Sequence, residues 1–132
     1  MIEWNDSFSV GVDIIDQDHK VLIDLINDTL AAAQTNNLSD INSVFRKLEG
    51  YTSFHFAREE GMMAECGYEN IEEHKVYHNK LIDDLDECRI SAMMSREVNE
   101  DSEICMFLKN WLFQHILKED MQYVARMTSH FS

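Results

Sequence analysis

The chain contains no proline, only four glycines in 132 residues, and few positive charges. The first two scarcities favour long helices joined by short connections. The third bears on partners: 11 basic residues stand against 25 acidic ones, a formal net charge of −14, and no basic run occurs. A surface of that sign repels phosphate backbones and anionic lipid, which argues against a nucleic-acid or membrane-surface role. The acids are scattered among polar positions and serve solubility. Cysteine is scarce too. Cys66, Cys88 and Cys105 are odd in number and lack C-x-x-C spacing, so they read as small buried hydrophobes in a reducing, cytoplasmic setting. No long apolar run is present, and Met1 to Asp6 has neither a positive n-region nor an apolar h-region. Neither a transmembrane span nor a signal peptide is expected.

What is present is helical periodicity in four blocks. Ile15, His19, Leu22, Ile23, Ile26, Leu30 and Ala33 recur in steps of three and four, with Asp13 or Asp16 as a cap. A second stripe runs through Ile41, Phe45, Leu48, Thr52, His55, Glu59 and Met62, with Ser39 as its expected N-cap and Gly67 as its stop. Asn70 and Glu73 resemble a capping box before the third stripe, which carries Ile71, His74, His78, Leu81, Leu85 and Ala92. After a polar break at 95–101, the fourth stripe holds Ile104, Leu108, Trp111, Leu112, His115 and Ile116 and is expected to continue to about Met127. Residues 1–12 read as an extended arm anchored by Trp4. The expectation is an all-α, antiparallel up-down-up-down four-helix bundle over about 13–128 as a single domain, with that arm packed over it.

The chemistry lies in the histidines. His55 with Glu59, and His74 with His78, are i, i+4 pairs, so each pair leaves one helix face a turn apart. His19 and His115 stand on the other two stripes, and Asp120 follows His115. A lone histidine on an apolar stripe is ordinarily a hydrogen-bonded core residue. Here every stripe carries at least one, and burying five imidazoles and two carboxylates without a cation is expensive. A pair of metal ions supplies that cation, and this donor set suits first-row transition metals. The Glu-x-x-His motif of ferritin-like di-iron proteins is absent, because Thr52, Ile71, Lys75 and Leu112 occupy the positions three before the histidines. Asp120 is the geometric oddity. Five residues at about 100° each turn it about 140° away from His115 on a straight helix. Either the metals lie between the two directions, or the helix makes a π-type turn there.

Asp16-Gln17-Asp18-His19, the H-x-x-x-E of 55–59, the H-x-x-x-H of 74–78, and Trp111-Leu112-Phe113-Gln114-His115-Ile116 leading to Asp120 together resemble the hemerythrin family, specifically its bacterial members. The resemblance implies two non-haem iron ions joined by an oxo or hydroxo bridge. His74, His78 and His115 would bind one, His19 and His55 the other, and Glu59 and Asp120 would bridge them. It implies reversible binding of dioxygen, for carriage, storage or sensing, in a dry pocket walled by Leu22, Phe56, Trp111, Leu112 and Ile116. Relatives also occur fused to signalling domains, which would make this chain a sensor module. Tyr123, three residues after Asp120, could hydrogen-bond a ligand carboxylate or merely pack. The contrasting expectation is a di-iron enzyme or redox sensor acting on peroxide or nitric oxide. No general acid, general base or substrate pocket is evident, which favours binding over catalysis.

Overall fold

The computed structural model describes residues 2–35, 37–94, 103–115 and 120–123. Four α-helices are present: α1 (Asp13–Thr35), α2 (Leu38–Cys66), α3 (Ile71–Met94) and α4 (Glu103–Phe113). There is no strand among the described residues, and no helix among them is long and apolar enough to cross a membrane.

Two apolar layers show how the helices run. One contains Val10, Val12, Ile15, Met63, Tyr68 and Tyr123, with Ile71 packed against it. The other is larger and includes Leu22, Ile26, Phe45, Leu48, Phe56, Leu81, Leu85, Leu108, Trp111 and Leu112. Helix α1 passes from the first layer to the second, α2 returns, α3 repeats the direction of α1, and α4 that of α2. The chain is therefore an antiparallel up-down-up-down bundle. The histidine-bearing turns fall between the layers on every helix. Burial of these apolar side chains is what holds the four amphipathic faces together.

The boundaries follow local chemistry, with some departures from expectation. Asn37, not Ser39, caps α2, its side-chain oxygen accepting the Asp40 N–H at 3.1 Å. Asp16 does not serve as an outward cap. It lies inside the first turn of α1 and accepts from the Ser9 hydroxyl (2.6 Å) and the Val10 N–H (2.9 Å), tying the arm down. The arm has one 3-10 turn at Asp6–Phe8 and a bend at Gly11, whose φ is 76°. Its other fastenings are the paired bonds between Ile2 and Asn27 and the packing of Trp4 against Phe8, of Phe8 against Phe113, and of Lys20 over the Trp4 ring.

Helix α2 runs unbroken through Gly50 and Gly61 and stops at Gly67, whose φ of 71° is left-handed. There the Gly67 and Tyr68 N–H groups close onto the last turn. Gly67→Ala is expected to destabilise the fold by about 1 kcal/mol, since a Cβ is disfavoured in that conformation. Urea unfolding checks this through the midpoint at unchanged slope.

The fourth helix departs furthest from expectation. Regular α winding ends at Phe113, 114–115 are π-helical, and Asp120–Tyr123 form a 3-10 turn. The predicted continuous helix to Met127 is not what the described residues adopt. Ile116, Met127 and the side chain of Ile104 lie outside them.

Candidate metal centre

Each of the four stripes delivers its polar residues to the same layer. His19 comes from α1, His55 and Glu59 from α2, His74 and His78 from α3, His115 from the π turn after α4, and Asp120 from the start of the final 3-10 turn. All seven are buried, five of them with no measurable exposure. The winding at 114–115 is π-helical, and Asp120 lies on the same side as His115, its Oδ2 3.1 Å from His115 Nε2.

The two carboxylates occupy the middle. Glu59 Oε1 lies 2.9 Å from His55 Nε2, 3.3 Å from His115 Nε2 and 3.6 Å from His78 Nε2. Asp120 Oδ2 lies 2.7 Å from His19 Nε2 and 3.1 Å from His115 Nε2, and its Oδ1 lies 3.7 Å from His74 Nε2. The donor atoms of His19, His55, Glu59, His115 and Asp120 all fall within 4.8 Å of one another, and so do those of His74, His78 and Asp120. Asp120 thus belongs to both groups, and Glu59 reaches a histidine of each. His115 sits with His19 and His55 in this arrangement, drawn there by both carboxylates.

Close approach is matched by hydrogen bonding only in part: His115 Nε2 and His55 Nε2 pair at 3.4 Å, but most of the other donors do not pair. His19 Nδ1 and Nε2, Glu59 Oε1, the Nε2 atoms of His74 and His78, and both Asp120 oxygens are buried without a hydrogen-bond partner among the described residues. Folded chains rarely leave buried polar atoms so, and a cluster of them needs a cause. Lone pairs that converge without being aligned on one another's protons are what a cation between them requires. Imidazole nitrogen and carboxylate oxygen are also the donors that first-row transition metals take. The residues present therefore fit a pair of metal ions.

Charge distribution makes the same point. Burial pulls the His115 imidazolium down, but Asp120 and Glu59 outweigh it and hold the group up at about 10. His55 likewise is pulled down by burial yet held at about 9 by Glu59 and Asp18. Glu59 is raised by burial and by Asp120, and the two imidazoles overcome both, bringing it to about 2. Burial would raise Asp120 as well, but His115 keeps it well below the usual carboxylate range. His78 is pushed down to about 3, chiefly by burial, with Glu59 opposing only in part. The carboxylates are anions that demand positive charge, and the interior is arranged to supply it.

Around the polar layer the walls are apolar. Leu22, Phe56, Trp111 and Leu112 are buried in one cluster. Phe56 lies flat on the His78 ring, with centroids 3.8 Å apart and planes 2° from parallel. Trp111 stacks over His115, donates its indole N–H to the Leu81 carbonyl at 3.2 Å, and on its other side lines a cleft of about 300 Å³ between α3 and α4. The Tyr123 hydroxyl donates a hydrogen bond to Glu59 Oε2.

Two partners escaped the sequence reading. His55 Nδ1 lies 3.0 Å from Asp18 Oδ2, and His78 Nδ1 lies 3.1 Å from Glu60 Oε2, so two of the imidazoles are held from behind by carboxylates. A signal existed in each case. Asp18 stands three residues after Ile15 and four before Leu22, and Glu60 stands four after Phe56 and three before Met63. An acid at core spacing beside a histidine asks for an explanation that solubility does not give.

Fold and site together define a four-helix-bundle protein with a buried imidazole and carboxylate cluster suited to two metals. The family model described as "Hemerythrin HHE cation binding domain" matches residues 10–127. Among relatives, the bacteriohemerythrin of Stenotrophomonas maltophilia is 30% identical over 132 residues, covering all of this chain and 85% of that protein. That of Pseudomonas aeruginosa is 34% identical over 121 residues, covering 92% and 78%. The crystal structure of a wild-type hemerythrin superposes with a TM-score of 0.83 at 30% identity, covering 97% of this chain and 98% of that one. The chain belongs to the hemerythrin family.

Proposed function

We propose that this chain binds dioxygen reversibly at a non-haem di-iron centre held by His19, His55, Glu59, His74, His78, His115 and Asp120. The observation that carries the reading is the set of buried donor atoms, most of them without a hydrogen-bond partner among the described residues, that converge between two apolar layers. Asp120, shared by both donor groups, and Glu59, within reach of His55 and His78, would each help to hold both ions. Two bound iron ions would supply the electrons that dioxygen draws on when it binds.

The chain's own residues do the rest. The imidazoles neutralise nothing by themselves once they carry metal, so the two carboxylates provide the fixed negative charge that retains it. Tyr123 keeps Glu59 oriented through its hydroxyl. Leu22, Phe56, Trp111 and Leu112 exclude water, and so withhold the protons that would make binding irreversible. Dioxygen is small and apolar and enters such a wall more readily than water does. The relatives' name, bacteriohemerythrin, supports the same reading.

The test is anaerobic. The reduced protein is assayed for iron, dioxygen is admitted, and the visible spectrum is followed while the gas is swept out. The expected outcome is two irons per chain and a charge-transfer band that comes with oxygen and leaves with it. An irreversible passage to the ferric form would overturn reversible binding in favour of redox or peroxide chemistry.

A further inference from the structure

Behind His55, on the side away from the metal cluster, is a small polar network at the edge of the larger apolar layer, against which Tyr51 packs. Asp18 is nearly fully buried, and both its oxygens are engaged. Oδ1 accepts the Tyr51 hydroxyl at 2.9 Å, and Oδ2 lies 3.0 Å from His55 Nδ1 and 3.2 Å from Arg58 Nε. Arg58 is in turn set by stacking over the Phe54 ring, 4.6 Å from its centroid. Tyr51, Phe54, His55 and Arg58 all lie on α2 at spacings of three and four, so one face of α2 presents a cage for a single carboxylate of α1.

We infer that Asp18 is a positioning residue. It accepts the Nδ1 proton of His55, fixes the ring so that Nε2 alone faces the metal cluster, and thereby sets the spacing between the donors of α1 and α2. The inference rests on the di-metal reading of the cluster. Its warrant is geometric. A neutral imidazole carries one proton, and a carboxylate on Nδ1 keeps it there, leaving the Nε2 lone pair free for metal. Asp18 is the chain neighbour of His19, whose ring centroid lies 4.8 Å from that of His55, so the same contact locks two donors from different helices relative to each other.

The network is also better enclosed than its counterpart. The Asp18 side chain is 5% exposed, whereas that of Glu60, behind His78, is 25% exposed. Water competes less for the buried contact, so the His55 side of the cluster depends on its carboxylate more than the His78 side does.

The test uses the full chain with zinc, a diamagnetic probe that takes imidazole and carboxylate donors without redox chemistry. Zinc uptake is followed by calorimetry, and the ring protons of nitrogen-15-labelled histidine by NMR. The wild-type chain is expected to bind two zinc ions and to show a downfield, slowly exchanging Nδ1 proton on His55. In Asp18→Asn, one of the two zinc constants is expected to weaken about 10- to 100-fold and that resonance to shift or vanish, because an amide can present N–H where the carboxylate presented only oxygen. Tyr51→Phe, which removes one anchor of Asp18 and leaves the imidazole contact, is expected to weaken the same constant by less and to keep the resonance.

Two unchanged constants and an unchanged resonance in Asp18→Asn would overturn the inference. If that variant does not fold, two unchanged constants in Tyr51→Phe would do so. A wild-type chain that takes up fewer than two zinc ions would instead bring down the di-metal reading, and this inference with it.

Discussion

Asp120→Ala is expected to reduce bound iron from two ions per chain to one or none, and to abolish the oxygen-dependent band. Asp120 is the residue common to both donor groups, with one oxygen 2.7 Å and 3.1 Å from the Nε2 atoms of His19 and His115 and the other 3.7 Å from that of His74. Without it, the Nε2 atoms of His74 and His78 face no carboxylate except Glu59, which His55 and His115 also face. Two dications that close would then share one anion, and their mutual repulsion in a water-poor interior has little to offset it. Asp120→Asn separates charge from shape. It keeps size and one acceptor oxygen but not the anion, and is expected to lose the second metal as fully as alanine does. Elemental analysis of the purified variants, with circular dichroism to confirm retained helix, checks both. Two irons retained in either variant would refute the bridging role.

Leu112→Ala is expected to act on stability and on function together. Leu112 has no exposed surface and packs in the larger apolar layer with Leu22, Phe56 and Trp111. Truncation there costs about 2–5 kcal/mol, the upper end if the cavity does not collapse. It also removes a wall beside the metal layer, three residues and so nearly one turn before His115. Water that enters the gap brings protons, and the oxygenated protein is expected to decay to the ferric form faster than the wild type. Decay of the charge-transfer band after a fixed oxygen exposure measures this, and urea unfolding measures the stability loss. An unchanged decay rate alongside reduced stability would leave Leu112 as core alone.

How far the sequence alone goes can be judged from particular residues. The stripes carrying His55, Glu59, His74 and His78 were legible because i, i+4 spacing on an amphipathic helix decides by itself which side chains share a face. Gly67 was legible as a stop because a left-handed residue after a helix favours glycine. The cap of α2 was not. Ser39 and Asn37 are both good caps, and only the path out of α1 selects between them. The role of Asp16 was hidden for a related reason, since its partners, Ser9 and Val10, lie in an arm whose course no periodicity reports. Asp18 and Glu60 were missed because an acid next to a histidine looks like a solvated face until the neighbouring helix is in place.

Composition and spacing thus determined that this is a helical bundle, and that each of its helices turns imidazole or carboxylate groups to the interior. Those are local properties, set by the absence of proline and by the 3.6-residue period. The tertiary structure decided what no local rule contains. It placed Asp120 in reach of His19 and His74, three residues far apart in sequence. It put Asp18 of α1 behind His55 of α2. It also left most of the donor atoms facing one another without hydrogen bonds, between two apolar layers. The physical reason is that a helix fixes only the direction in which a side chain leaves. Which groups meet, and whether they satisfy or merely face each other, depends on the register of four helices packed side by side.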